Sequence, residues 1–96
     1  MDDEVQEKVS TMMNLVNAWV GKKGVVHGGA LGETSTWHYK LSIGGTFSVK
    51  PEGSFPYLLF GFDTKHPSTA LLDDENFEKT LEDAYAGHAK RQQRQP

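Results

Sequence analysis

Ninety-six residues leave room for one hydrophobic core, and the absence of cysteine excludes a disulfide framework, a thiolate nucleophile and a cysteine zinc site. A hydrophobic fraction of 36%, ten of the residues being aromatic, indicates a folded chain rather than a disordered one. The net charge of −3 and a pI near 5.7 differ from the concentrated basic surface of most nucleic-acid binders.

That charge is unevenly spread: residues 1–20 carry −3, 21–70 carry +2, 71–86 carry −5 and 87–96 carry +3. Two acidic segments therefore bracket a mildly basic centre, and the chain ends on a basic tail. The acidic start, Met1-Asp2-Asp3-Glu4, is unlike the basic opening of a signal peptide, and no apolar run approaches the ~20 residues that span a bilayer. The expectation is a cytoplasmic protein with no membrane association.

Val5, Val9, Met12, Met13, Val16, Trp19 and Val20 recur at the spacing that lines one face of an α-helix. Asp2, Asp3 and Glu4 suit its N-terminus, and Gly21 and Gly24 offer a stop. The Met12–Met13 pair reads as core filling rather than as an adaptable recognition surface. Residues 21–36 hold five glycines, and Val25 to Leu31 reads as a glycine-weakened strand turning back at Gly32 and Glu33. Gly28-Gly29-Ala30-Leu31-Gly32 is glycine-rich like a phosphate-binding loop, but β-type residues follow where a helix N-terminus is required.

Trp37, Tyr39, Leu41 and Ile43 alternate with His38, Lys40 and Ser42, the period of a strand buried on one face. Phe47 and Val49 resume the pattern beyond Gly44-Gly45. A three-residue Gly44-Gly45-Thr46 loop pairs Ile43 with Phe47 and Leu41 with Val49, apolar opposite apolar, whereas a two-residue loop sets apolar opposite polar. In this register His38, Lys40, Ser42, Ser48 and Lys50 share a polar, slightly basic face. Pro51 to Pro56 composes a turn. Tyr57 to Asp63 follows as a continuous apolar run, the pattern of a strand covered on both sides; with Leu58, Phe60 and Phe62 facing the helices, Tyr57 and Leu59 emerge among the polar set.

After a loop at Thr64 to Ser68, a second helix is expected with Asp73 or Asp74 as N-cap and an apolar stripe through Phe77, Leu81, Ala84, Tyr85 and His88. The fold class is therefore α+β: an N-terminal helix, a three- or four-stranded antiparallel sheet and a C-terminal helix, in one domain over residues 1–89 with a polar basic tail at 90–96. Double-stranded-RNA-binding domains and several small chaperone and inhibitor families share this element order, which is an analogy of arrangement only. The RNA-binding domains set lysines at the start of the second helix; Asp73, Asp74 and Glu75 stand there in this chain.

No catalytic constellation is legible. His27, His38, His66 and His88 are scattered, with no spacing that compels a metal site, Glu78 and Glu82 read as a solvated acidic face, and no serine lies in a nucleophile elbow. No cofactor, metal or catalytic residue is assigned, and the reading leans away from an enzyme. The leading expectation is a protein-binding module, an adaptor, inhibitor, immunity or chaperone-like subunit. It docks a protein partner or a second copy through the outer sheet face, using Tyr57, Leu59, His38, Lys40 and Lys50. The alternatives are a nucleic-acid-binding domain that adds Lys90, Arg91 and Arg94 to that basic face, and a small enzyme with an unrecognised site.

Overall fold

A computed structural model describes residues 3–31, 35–53, 55–71 and 75–94. The periodic N-terminal segment forms α1 (Asp3–Lys22), burying Met12, Val16, Trp19 and Val20, with Val9 and Met13 partly buried beside them. Five strands follow: β1 (Val25–Leu31), β2 (Trp37–Leu41), β3 (Thr46–Pro51), β4 (Leu58–Phe62) and β5 (Thr69–Leu71). They pair antiparallel in the order β1-β2-β3-β4-β5. The chain closes with α2 (Phe77–Gln93). The architecture is α+β, and no helix among the described residues is long and apolar enough to cross a membrane.

Sheet and helices meet in one core. Met12, Val16, Trp19 and Val20 of α1 and Leu81 of α2 close over Tyr39, Leu41, Phe47, Val49, Leu58, Phe60 and Leu71 of the sheet. Phe47 is its centre, with ring centroids 5.9 Å from Trp19, 6.0 Å from Tyr39, 6.1 Å from Phe60 and 5.1 Å from Phe62. These tilted contacts suit the aromatic quadrupole and add to the burial of apolar area.

The sheet has one strand more than the sequence predicts. β5 is three residues long, too short to show alternation, and pairs Leu71 with Leu58, Ala70 with Leu59 and Thr69 with Phe60. The β2–β3 turn is also displaced. Its loop is Ser42-Ile43-Gly44, closed by Gly44 N–H to Leu41 O at 3.0 Å and Leu41 N–H to Gly45 O at 3.1 Å. Trp37 therefore faces Val49 and Tyr39 faces Phe47, instead of the expected Ile43–Phe47 and Leu41–Val49 pairs. The loop length is right and its position is not. Because the displacement is even in residues, each side chain keeps its face, but Ile43 leaves the strand and is 37% exposed.

The reason lies across the core. Gly44 and Gly45 have φ of +103° and +82°, and a Cβ on Gly45 would lie 2.5 Å from His88 Cε1. The glycines sit where a left-handed backbone meets a buried ring, which no strand-by-strand matching anticipates.

α2 begins one residue after Asn76, which occupies the N-cap position without a side-chain cap bond. The expected caps Asp73 and Asp74 lie outside the described residues, as do the Gly32–Glu33 turn and Asp2. The helix continues through Gly87 to Gln93, so Lys90 and Arg91 are helical residues of its last turns. Its predicted stripe is the one that packs: Leu81 and His88 are buried, and Phe77, Ala84 and Tyr85 are partly buried against the core.

Candidate functional site

Both helices cover one face of the sheet, and alternation sends the intervening residues to the other. His38 and Lys40 of β2, Thr46, Ser48 and Lys50 of β3, Leu59 and Gly61 of β4 and Ala70 of β5 occupy this outer face. Across it His38 lies opposite Ser48, Ser48 opposite Gly61, Lys50 opposite Leu59, and Leu59 opposite Ala70. The set expected from the sequence is thus brought onto one surface, apart from Ser42, which falls in the turn.

That surface is not uniformly open. Ser48 is fully buried because the segment joining β4 to β5 folds back over it. Ser48 Oγ donates to Thr64 O at 2.8 Å, and a Cβ on Gly61 would lie 2.5 Å from Thr64 Cγ2 and 3.5 Å from Pro67 Cα. Thr64 and Pro67 therefore rest in the space that Gly61 leaves empty. A lone glycine inside a strand pattern marks a close approach of another segment, and Gly61 was the one sequence signal for this arch.

The arch orients His38. The single Ser48 hydroxyl proton goes to Thr64 O, so the contact of His38 Nδ1 with Ser48 Oγ at 2.9 Å has Nδ1–H as donor. In the neutral ring the lone pair is then on Nε2. His38 also lines a cleft of about 340 Å³ together with Thr46, Asp63, Thr64 and Lys65.

Leu59 and Tyr57 are both half-buried, neither enclosed nor free. Tyr57 precedes β4 and stacks on Phe55 at 6.0 Å and 10°, and Phe55 is 56% exposed. Phe55 is absent from the sequence-based set because it falls in a proline-flanked turn, where periodicity carries no facing information. Lys40 is exposed and Lys50 half-buried.

Lys90, Arg91 and Arg94 are exposed, but α2 packs on the inner side of the sheet through Leu81. The structure does not gather them with His38, Lys40 and Lys50 on one surface. Glu78 is exposed, whereas Glu82 is committed to a helix–helix contact: Oε1 accepts from Trp19 Nε1 at 2.8 Å and lies 2.7 Å from Lys23 Nζ. The Lys23 hydrogen bond, then that from Trp19, holds the Glu82 carboxyl below the usual carboxylate range. Lys23 also sits 5.8 Å from the Trp19 ring centroid and 5.1 Å from that of Tyr85, a cation–π arrangement. Tyr39, whose hydroxyl donates to Asn17 Oδ1, has its pKa raised by burial.

No group of three or more metal-ligating side chains converges among the described residues. No protein-family model, curated protein or solved structure matches the chain.

Proposed function

We propose that this chain is a non-enzymatic protein-binding module whose outer sheet face, around Tyr57 and Leu59, docks a partner segment carrying an apolar side chain flanked by carboxylates. The observation that carries the reading is the uneven covering of that face. The arch shields Ser48 and Gly61, whereas Leu59 stays partly open opposite Lys50, and the Phe55–Tyr57 stack just before β4 is partly open as well. An aromatic and aliphatic anchor with a polar rim is the usual anatomy of a binding patch, and Lys50, directly opposite Leu59, favours a carboxylate on the partner on charge grounds.

The test compares wild-type chain with Leu59→Asp, Lys50→Glu and the triple variant Lys90→Ala/Arg91→Ala/Arg94→Ala as baits in lysate of the native host, with circular dichroism reporting folding. Support is a protein retained by wild type and the triple variant and lost by both outer-face variants while they remain folded. Identical capture by folded Leu59→Asp refutes the reading. A wild-type dimer by light scattering at micromolar concentration, dispersed by Leu59→Asp, replaces the acidic partner with a second copy. Capture that is nuclease-sensitive and falls steeply between 50 and 200 mM salt replaces it with nucleic acid.

A further inference from the structure

The imidazole of His88 is completely buried and is wedged between three elements. It stacks on Phe62 at 4.9 Å and 22°, and its Nε2 lies 2.9 Å from Gly44 O. A carbonyl only accepts, so Nε2 carries a proton. The other nitrogen, Nδ1, has no hydrogen-bond partner and faces Asp63 Oδ2 at 3.5 Å. In a neutral ring the one available proton is on Nε2, and Nδ1 turns a lone pair toward a carboxylate. A second proton converts that opposition into an ion pair and leaves the Gly44 bond in place.

The ring has no room to swing away. Gly45 approaches so closely that a Cβ there would lie 2.5 Å from Cε1 and 2.7 Å from Nε2 of His88. Asp63 is also held: its Oδ1 accepts from Thr46 N–H at 3.0 Å, and its backbone is left-handed with φ of 57°, a conformation aspartate tolerates better than most residues. Asp63 faces His88 from the end of β4, and the β2–β3 turn presents only backbone. From α2 itself, Tyr85 packs on the same Phe62 ring.

From this geometry we infer that His88, Asp63 and the Gly44–Gly45 turn form a proton-dependent latch fastening the C-terminal half of α2 to the sheet, closed when the imidazole carries both protons. This inference does not rest on the docking reading.

The experiment is hydrogen exchange of α2 backbone amides, with 15N spectra of the imidazoles, at about pH 5.5 and about pH 8, the interval in which histidine ordinarily titrates. Wild-type chain is compared with Asp63→Asn. The carboxamide introduced there keeps the Thr46 bond through its oxygen while its NH2 group donates to the Nδ1 lone pair, so the neutral ring is satisfied. Expected for wild type is opening at residues 84–93 at least about threefold rarer at the lower pH, after correction for intrinsic exchange, with both His88 nitrogens protonated there. In Asp63→Asn the pH effect disappears or reverses, which separates the latch from titration of His27, His38 and His66. Equal pH effects in both chains, or a wild-type His88 spectrum showing a neutral ring at the lower pH, overturn the inference. If Asp63→Asn does not fold, the wild-type 15N spectrum decides alone.

Discussion

Ser48→Ala tests whether the arch over the outer sheet face is held by its polar anchor. The substitution removes one buried oxygen that accepts from His38 Nδ1–H at 2.9 Å and donates to Thr64 O at 2.8 Å. Two groups lose their partner. A buried donor or acceptor left unpaired costs about 1–3 kcal/mol. His38 is half-buried and Thr64 sits in a surface segment, so water recovers part of each, and the expected total is about 1.5 kcal/mol. In a domain of this size that lowers Tm by roughly 6–12 °C. Urea denaturation measures the free energy, and hydrogen exchange locates it, with faster exchange expected in β3 and residues 63–68. The double variant with His38→Ala should lose less than the sum of the single changes, because both act on one chain of bonds. A Ser48→Ala protein within about 0.3 kcal/mol of wild type, with unchanged exchange at the arch, would refute the reasoning.

Gly61→Val should be worse tolerated than a strand propensity scale implies, because Thr64 and Pro67 occupy the side-chain space; a loss of at least about 2 kcal/mol by chemical denaturation is expected, although valine is the better strand former. Phe47→Ala, at the centre of the aromatic cluster, should cost about 3–5 kcal/mol and leave little or no cooperative unfolding transition in calorimetry. The folded-state pKa of Glu82 is lowered, so its contribution is fully present above the unfolded carboxylate value and lost as pH falls through the lowered folded value. Glu82→Gln keeps an acceptor for Trp19 but removes the charge. It should therefore reduce stability by about 0.5 kcal/mol near neutrality and make the acid limb of the stability–pH curve shallower; an unchanged limb would show that the Lys23 pair is immaterial. Burial raises the pKa of Tyr39, so the stability tied to its neutral hydroxyl is fully present below the unfolded tyrosine value and is lost as pH rises from there through the raised folded value. Tyr39→Phe should flatten that alkaline loss in a denaturation series.

Local periodicity accounts for much of the architecture. The stripe from Val9 to Val20 buries one side of α1, that from Phe77 to His88 one side of α2, and the alternation from Trp37 to Leu41 and from Phe47 to Val49 assigns faces correctly, because burial of one face is written into every second or fourth residue. Leu59 was likewise legible as a residue of the outer side. What periodicity does not encode is contact between segments far apart in the chain. Gly45 is a glycine because His88, 43 positions later, fills the space above it, and that contact places the turn at Ser42-Ile43-Gly44. Ser48 belongs to a polar row yet is buried, because Thr64 and Pro67 settle into the gap at Gly61. His88 reads from sequence as one more member of an apolar stripe; packing alone sets its two nitrogens against Gly44 and Asp63. Faces follow from the spacing of neighbours, whereas register, covering and the company of buried polar atoms follow from long-range packing, where several segments compete for the same volume.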